Sequence, residues 1–363
     1  MKKIRRICLG ILGGIVIAAV GLVISLRVTE YRPSEKEQIT AEGASTKKLN
    51  KEDTISILTY NIGYGALSRT EDFFMDGGER VRPDSRQLIL DNMKGIKKQL
   101  QEQDADVYFL QETDRNSRRS YYINEARELW ENTGGVMTYA LNFACRFVPY
   151  PFPPIGKVYS GIMTLSSYEV TDAERIAFPS SFRWPVSMCN LKRCLLVQRT
   201  PIEGSDQELV LINLHLEAYD SGEGKLRQSR MLAEVMQEEY EKGNYVIAGG
   251  DFNQSFSCVD PDKYPVKNTD HFIAGEFPED YFQEGWQIVM DDSVPTSRLL
   301  NEPYNEGSED TQYYMLDGFI ASPNIEIQEL ETKDYGFEYA DHNPVKITIK
   351  LNETNEKASF CHP

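Results

Sequence analysis

The sequence predicts an α/β domain of two β-sheets covered by helices, preceded by a helix that crosses a membrane. Three observations carry this expectation. Short apolar runs with strand-like patterning, such as TISILTYNIG and QELVLINLHLEA, recur along the chain between Gly, Pro and Asn punctuation. Longer stretches of helical spacing separate some of them, and this mixture of hairpin-like strands with intervening helices argues against a purely parallel winding. At the N-terminus, residues 7–26 read ICLGILGGIVIAAVGLVISL without a single charge.

That first segment has twenty residues, which at about 1.5 Å per residue matches a hydrocarbon core of roughly 30 Å. Lys2, Lys3, Arg5 and Arg6 precede it, so the basic end stays in the cytoplasm and the rest of the chain emerges outside. Two readings follow. Residues 1–29 are an uncleaved signal anchor, with the domain at the cell membrane on the extracytoplasmic side, or they are a cleaved signal peptide and the domain is secreted. A cleaved signal has an apolar core of about 7–15 residues and a small-x-small site; this run is longer and ends in SLRVTE, which favours the anchor. Residues 30–52, rich in Glu, Lys, Ser and Thr, read as a solvated polar tether. The domain is expected over 53–352, with 353–363 as a C-terminal tail.

Within the domain, TISILTYNIG is a strand that ends at Gly63 and Gly65. RPDSRQLILDNMKGIKKQLQEQ puts Leu88, Ile89, Met93, Ile96 and Leu100 on one helical face, with Pro83 at its start. ADVYFLQET is the next strand, and SYYINEARELWENTG is a helix that stops at Gly134 and Gly135. KVYSGIMTLSSYEV and KRCLLVQRT are apolar runs too short for independent helices. QELVLINLHLEA, SRMLAEVMQEEYEKG and YVIAGGDFN then give strand, helix and strand, and QYYMLDGFIAS and HNPVKITIKL close the domain. The hydrophobic content of 40% and the absence of repeats exclude a disordered or solenoid chain.

The formal charge is -17, and setting aside residues 1–32 leaves 33 basic against 55 acidic residues. So acidic a surface repels a phosphate backbone, and no stable nucleic-acid partner is expected. Beyond the anchor lie Cys145, Cys189, Cys194, Cys258 and Cys361. The CNLKRC spacing permits a local Cys189–Cys194 disulfide in an oxidising compartment, and no second compact cysteine pair suggests zinc.

The chemistry is carried by polar residues at strand ends: Asn61, Glu112, His215, Asp251 with Asn253, Asp317, and Asp341 with His342. A carboxylate or amide in a buried strand is costly unless paired or bound to a cation. Singly, each fits a turn cap or a structural hydrogen bond; together they describe a site. In the order TYNIG, QETD, NLHL, GGDFN, LDGF and DHNPV, over about residues 54–350, these motifs resemble the endonuclease/exonuclease/phosphatase superfamily of DNase I-like, metal-dependent phosphoesterases.

The resemblance implies an α/β four-layer sandwich, two mostly antiparallel packed β-sheets flanked by helices. It implies a divalent cation, Mg2+ with Mn2+ as a substitute, at Glu112, Asp341 and Asn61. It assigns catalysis to His215, Asp251, Asn253, Asp317 and His342: Asp251 handles the attacking water, Asp317 fixes an imidazole, and the histidines act at the phosphate. Asn61 also helps hold the phosphate. Arg118 and Arg193 are candidate substrate contacts, against a solvated helix start and a strand salt bridge as their bland alternatives. The proline-rich CRFVPYPFPPIGKVYSG and the SFRWPV segment are either an aromatic rim near a lipid or substrate, or packed loops. The expected activity is hydrolysis of a small or lipid-linked phosphodiester by in-line water attack. The alternatives are an extracellular DNase-like endonuclease and an inactive surface binding module.

Overall fold

A computed structural model describes residues 2–219, 222–267 and 269–352; the tail at 353–363, with Cys361, lies outside the described residues. Helix α1 (Lys2–Thr29) precedes thirteen strands that build two sheets. In chain order these are β1 (Lys36–Gln38), β2 (Thr54–Asn61), β3 (Val107–Asp114), β4 (Val136–Val148), β5 (Gly156–Ser166), β6 (Asp172–Ala177), β7 (Cys194–Pro201), β8 (Glu208–His215), β9 (Tyr245–Asp251), β10 (Gln287–Val289), β11 (Asp317–Ala321), β12 (Ile325–Thr332) and β13 (Val345–Leu351). The helices of the domain are α2 (Arg86–Gln103), α3 (Glu125–Thr133) and α4 (Glu223–Glu241).

One sheet runs β12-β13-β2-β3-β5-β4 and the other β1-β6-β7-β8-β9-β11-β10. Only β2 with β3 and β8 with β9 pair in parallel within these sheets; the other neighbours are antiparallel. Ile57, Phe109, Leu211, Ile247, Phe319 and Ile347 meet between the sheets. Their sequence neighbours point outward: Leu58 and Leu110 pack under α2 and α3, and Val210, Ile212, Val246 and Ala248 pack under α4. Strands buried on both faces lose the in-out alternation of a surface sheet and read as apolar runs. The layers are therefore helix, sheet, sheet, helix.

Helix α2 buries Ile89, Met93, Ile96 and Leu100, the face its spacing predicts. Its cap is the Ser85 hydroxyl, which accepts from the Leu88 N–H at 3.2 Å, so Pro83 lies just before the helix. Among the described residues, one helix, Lys3–Thr29, is long and apolar enough to cross a membrane. The expected tether is not free in solvent. β1 pairs antiparallel with β6, residues 42, 47 and 49 bridge to Met137, Tyr168 and Ile202, and Leu49 is fully buried. The Cys189–Cys194 bridge that the spacing permits does not form. Cys194 is buried in β7 beside Ala140, Ile162 and Leu196, and Cys189 lies in the cluster against α1.

Candidate active site

Strand register brings the polar motifs to one end of the sandwich. His215 pairs with Asp251 across β8 and β9, Asp251 pairs with Asp317 across β9 and β11, and Asn61 pairs with Gln111, next to Glu112, across β2 and β3. Glu112 sits on a bulge: the β3–β5 register slips between Leu110 and Thr113, and Glu112 has φ of 53°. A bulge re-aims a side chain at the end of a ladder, and the left-handed backbone costs on the order of 1–3 kcal/mol. Asn253, at φ of 51°, occupies the same left-handed region, which asparagine tolerates.

The bonds converge on Asp251. Its Oδ2 accepts from Asn61 Nδ2 at 3.0 Å, and its Oδ1 accepts from the Asn253 N–H at 2.9 Å. His215 Nε2 lies 3.4 Å and His342 Nε2 3.8 Å from the same Oδ2. On its other side, His342 Nδ1 is 2.7 Å from Asp317 Oδ2. Burial works against charge on His342, but Asp317, Asp251 and Asp341 outweigh it and push its pKa up to about 10. His215 goes the other way: burial and the charges of Arg193, His342 and Arg119 hold it neutral. The site thus contains one charged and one neutral imidazole with a carboxylate between them. Burial, opposed by His342, raises Asp251 to about 6, and burial, with Glu112 adding to it and His342 opposing, raises Asp341 to about 7. Glu112 is raised by burial against the pull of Arg119 and Arg193.

Asp251, Asp317 and His342 present ligand atoms within 4.8 Å of one another, a carboxylate–histidine cluster able to hold a divalent cation. A second donor set faces the same cleft. Glu112 and Asp341 both line it, and Asp341 Oδ1 is buried without a hydrogen-bond partner among the described residues, the condition in which a carboxylate oxygen suits a cation. Gly63 makes room for that oxygen, since a Cβ there would lie 2.7 Å from it.

The cleft has a volume of about 550 Å³. Asn61, Glu112, Arg193, His215, Asp251, Asn253, Asp341 and His342 line it, and Asp317 stands behind His342. Arg193 is buried, donates to the His215 carbonyl at 3.1 Å and pairs with Glu217 at 3.4 Å. Arg118 is not brought in: it turns to the proline-rich loop and donates to the Pro154 carbonyl at 2.7 Å. Its neighbour Arg119 takes that place, forked on Asp114 at 3.0 and 3.1 Å and stacked 3.6 Å from the Tyr64 ring centre. Sequence reasoning also left out Arg298, on a two-residue strand paired with Tyr313–Tyr314, and Tyr219 and Asp76, joined by a hydrogen bond of 2.6 Å; all three line the cleft from segments that carry no motif.

Fold and site together define a metal-dependent phosphoesterase. The sequence profile of the Endonuclease/Exonuclease/phosphatase family matches residues 58–287, and the chain belongs to that family. A search of curated proteins finds no match. Similar solved structures include an endonuclease/exonuclease/phosphatase from Beutenbergia cavernae, at 15% identity and TM-score 0.55, covering 82% of this chain and 72% of that one. ANGEL2, a 2',3'-cyclic phosphatase solved with adenosine-2',3'-vanadate, has 16% identity and TM-score 0.54, covering 87% and 99%. D. rerio TDP2, solved with a single-strand DNA product, has 18% identity and TM-score 0.48, covering 83% and 100%.

These findings correct the expectation that nucleic acid is no partner. A protein of similar fold, ANGEL2, is solved with adenosine-2',3'-vanadate, and in this chain Arg119, Arg193 and Arg298 line the cleft. Net charge sums the whole surface, whereas the potential inside the cleft is set locally, by these guanidinium groups together with Asp76, Glu112, Glu217, Asp251 and Asp341.

Proposed function

We propose that the protein is a divalent-metal-dependent phosphodiesterase that cleaves its ester by in-line attack of water. The observation that carries this reading is Asp251, held by Asn61 and Asn253 between neutral His215 and charged His342. Asp251 takes the proton of the attacking water, and a carboxylate near pH 6 is suited to that task. His342, fixed by Asp317, donates to a phosphoryl oxygen as charge builds there. His215 acts at the leaving oxygen.

Glu112 and Asp341 would hold the cation, because Asp317 already satisfies His342 and an imidazolium repels a metal. Asn61 spends its amide on Asp251 and its carbonyl on the Gly63 N–H, so we assign it to orienting Asp251. Mg2+, with Mn2+ as substitute, fits an all-oxygen donor pair that leaves room for substrate. When bound, the cation neutralises charge on the phosphoryl oxygens.

Two substrate readings have separate support. ANGEL2, of similar fold, is solved with an adenosine vanadate, which favours a nucleotide or polynucleotide phosphodiester. The walls of the cleft, with Tyr64, Phe74, Phe143, Val148, Tyr150 and Tyr219, favour an amphipathic one. Turnover of bis(4-nitrophenyl) phosphate, 2',3'-cyclic AMP, a single-stranded oligonucleotide, sphingomyelin and phosphatidylinositol, with Mg2+ and with chelator, separates them. Absence of metal-dependent turnover on every substrate would overturn the proposal. We further assign α1 to anchoring the domain in the membrane, with the domain on the extracytoplasmic side.

A further inference from the structure

Helix α1 does not end in a swivel. Glu30, directly after it, is held by Arg27 at 2.6 Å, Arg32 at 2.9 Å and Lys192 of the domain at 3.5 Å. Tyr31 donates to the Leu141 carbonyl at 3.4 Å, and β1 then joins the sheet at β6. The last turns of the helix touch the domain as well: Leu22 and Leu26 pack with Phe143, Val148, Val158 and Met188. The orientation of the domain relative to the helix axis is therefore set by packing.

This fixes a depth. Leu22 and Leu26 belong to the uncharged run at 7–26, and four residues of helix span about 6 Å. Whatever packs on those two leucines lies at the edge of the apolar layer that α1 would span. Around this contact the surface is unusually apolar. Phe152 is 96% exposed, Tyr150 71% and Trp184 64%, with Val186 and Phe147 also exposed. Arg146 and Arg183, each next to a collar aromatic, are exposed too. Exposed aromatics with adjacent cations fit the boundary of hydrocarbon and phosphate headgroups, whereas a monomer in water seldom leaves such a cluster open.

The same side chains border the active site. Phe143, Val148, Ile155, Cys189 and Leu191 belong to the cluster that receives α1, and all five line the cleft. Tyr150 and Val186 line it from the collar.

We propose that the collar of Phe147, Tyr150, Phe152, Trp184 and Val186 is a second contact with the bilayer, holding the mouth of the cleft at the level of the lipid headgroups. The inference rests on α1 as an anchor and holds whichever phosphodiester the site takes. It makes the domain a membrane-lying enzyme rather than one that tumbles at the end of a leash.

The test reconstitutes the full chain in phosphatidylcholine–phosphatidylglycerol vesicles, with and without lipids brominated on the acyl chains. Trp184 emission, taken as the difference between the wild type and Trp184→Phe, is expected to fall at least twofold in the brominated vesicles. Phe152→Trp on the Trp184→Phe background is expected to be quenched likewise, from the other segment of the collar. Hydrolysis of soluble bis(4-nitrophenyl) phosphate checks that each variant is folded, since neither Phe152 nor Trp184 lines the cleft. Carbonate-resistant vesicles in which either tryptophan stays unquenched overturn the collar alone. Loss of the chain in the carbonate wash overturns anchor and collar together, and neither outcome touches the phosphodiesterase reading.

Discussion

At the residue scale, the site depends on two histidines of one type in opposite charge states. Asp317 supplies most of that difference, because it bonds His342 and has no counterpart at His215, whose Nδ1 is buried without a partner among the described residues. Asp317→Asn is therefore expected to lower kcat by about 10²–10⁴ while leaving KM near its original value. Steady-state kinetics on a chromogenic diester, with a metal-binding titration alongside, measures this. Glu112→Gln is expected to weaken cation affinity by at least about tenfold, read by titration calorimetry, whereas Asp317→Asn should spare it. Reversal of the two affinities would place the cation in the Asp251–Asp317–His342 cluster.

The carboxylates also set a pH dependence. Asp251 and Asp341 titrate higher in the folded chain than the usual carboxylate range, at about 6 and 7. Their protonated forms favour the fold, so this contribution is complete below about pH 4 and is lost as pH rises through 6 to 7. The metal-free protein is expected to lose on the order of 5 °C in Tm between pH 5 and 8. Saturating Mg2+ should reverse that loss, because the cation binds the deprotonated carboxylates. Thermal scans across pH with and without Mg2+ check the sign.

At the element scale, strand ends carry the chemistry and backbone geometry aims it. Gly250 precedes Asp251 in β9 with φ of 152°, and a Cβ there would lie 2.0 Å from the Leu214 carbonyl oxygen. β8 and β9 come that close at the point where His215 and Asp251 face each other. Gly250→Ala is expected to cost about 3 kcal/mol or more, since backbone cannot yield as a side-chain tip does. Denaturant titration should show that loss, and residual folded protein should show reduced turnover. The helices and β2, β3, β5, β7, β8, β9, β11 and β13 were legible because their apolar patterning is local, whereas β1, β4, β6, β10 and β12 were not read from the sequence. The bulge at Glu112 was not: it follows from how β3 and β5 pair, and QETD looks the same with or without it.

At the scale of the whole molecule, the segment after α1 shows how composition can mislead. Residues 30–52 are polar enough to read as a leash, yet Leu49 is buried and β1 completes a sheet edge. A few backbone pairings and one apolar side chain suffice to dock a polar stretch, and composition averages over them. Net charge is an average of the same kind, and it says nothing of how Arg119, Arg193 and Arg298 are placed among the acids of one cleft. Removing divalent cations with chelator is expected to abolish turnover, with recovery on adding Mg2+ or Mn2+, as measured on the substrate panel above.

By itself the sequence determined the apolar N-terminal run, the α/β class and the set of strand-end polar residues, because each is written in local periodicity or in a short motif. Only the tertiary structure decided that Arg119 and not Arg118 faces the cleft, that His342 is charged while His215 is neutral, and that the end of α1 packs on the cleft's own wall. Those outcomes depend on burial and on partners distant along the chain. Asp317 lies 25 residues from His342 and Asn61 lies 190 from Asp251, and such separations leave no mark on a local pattern.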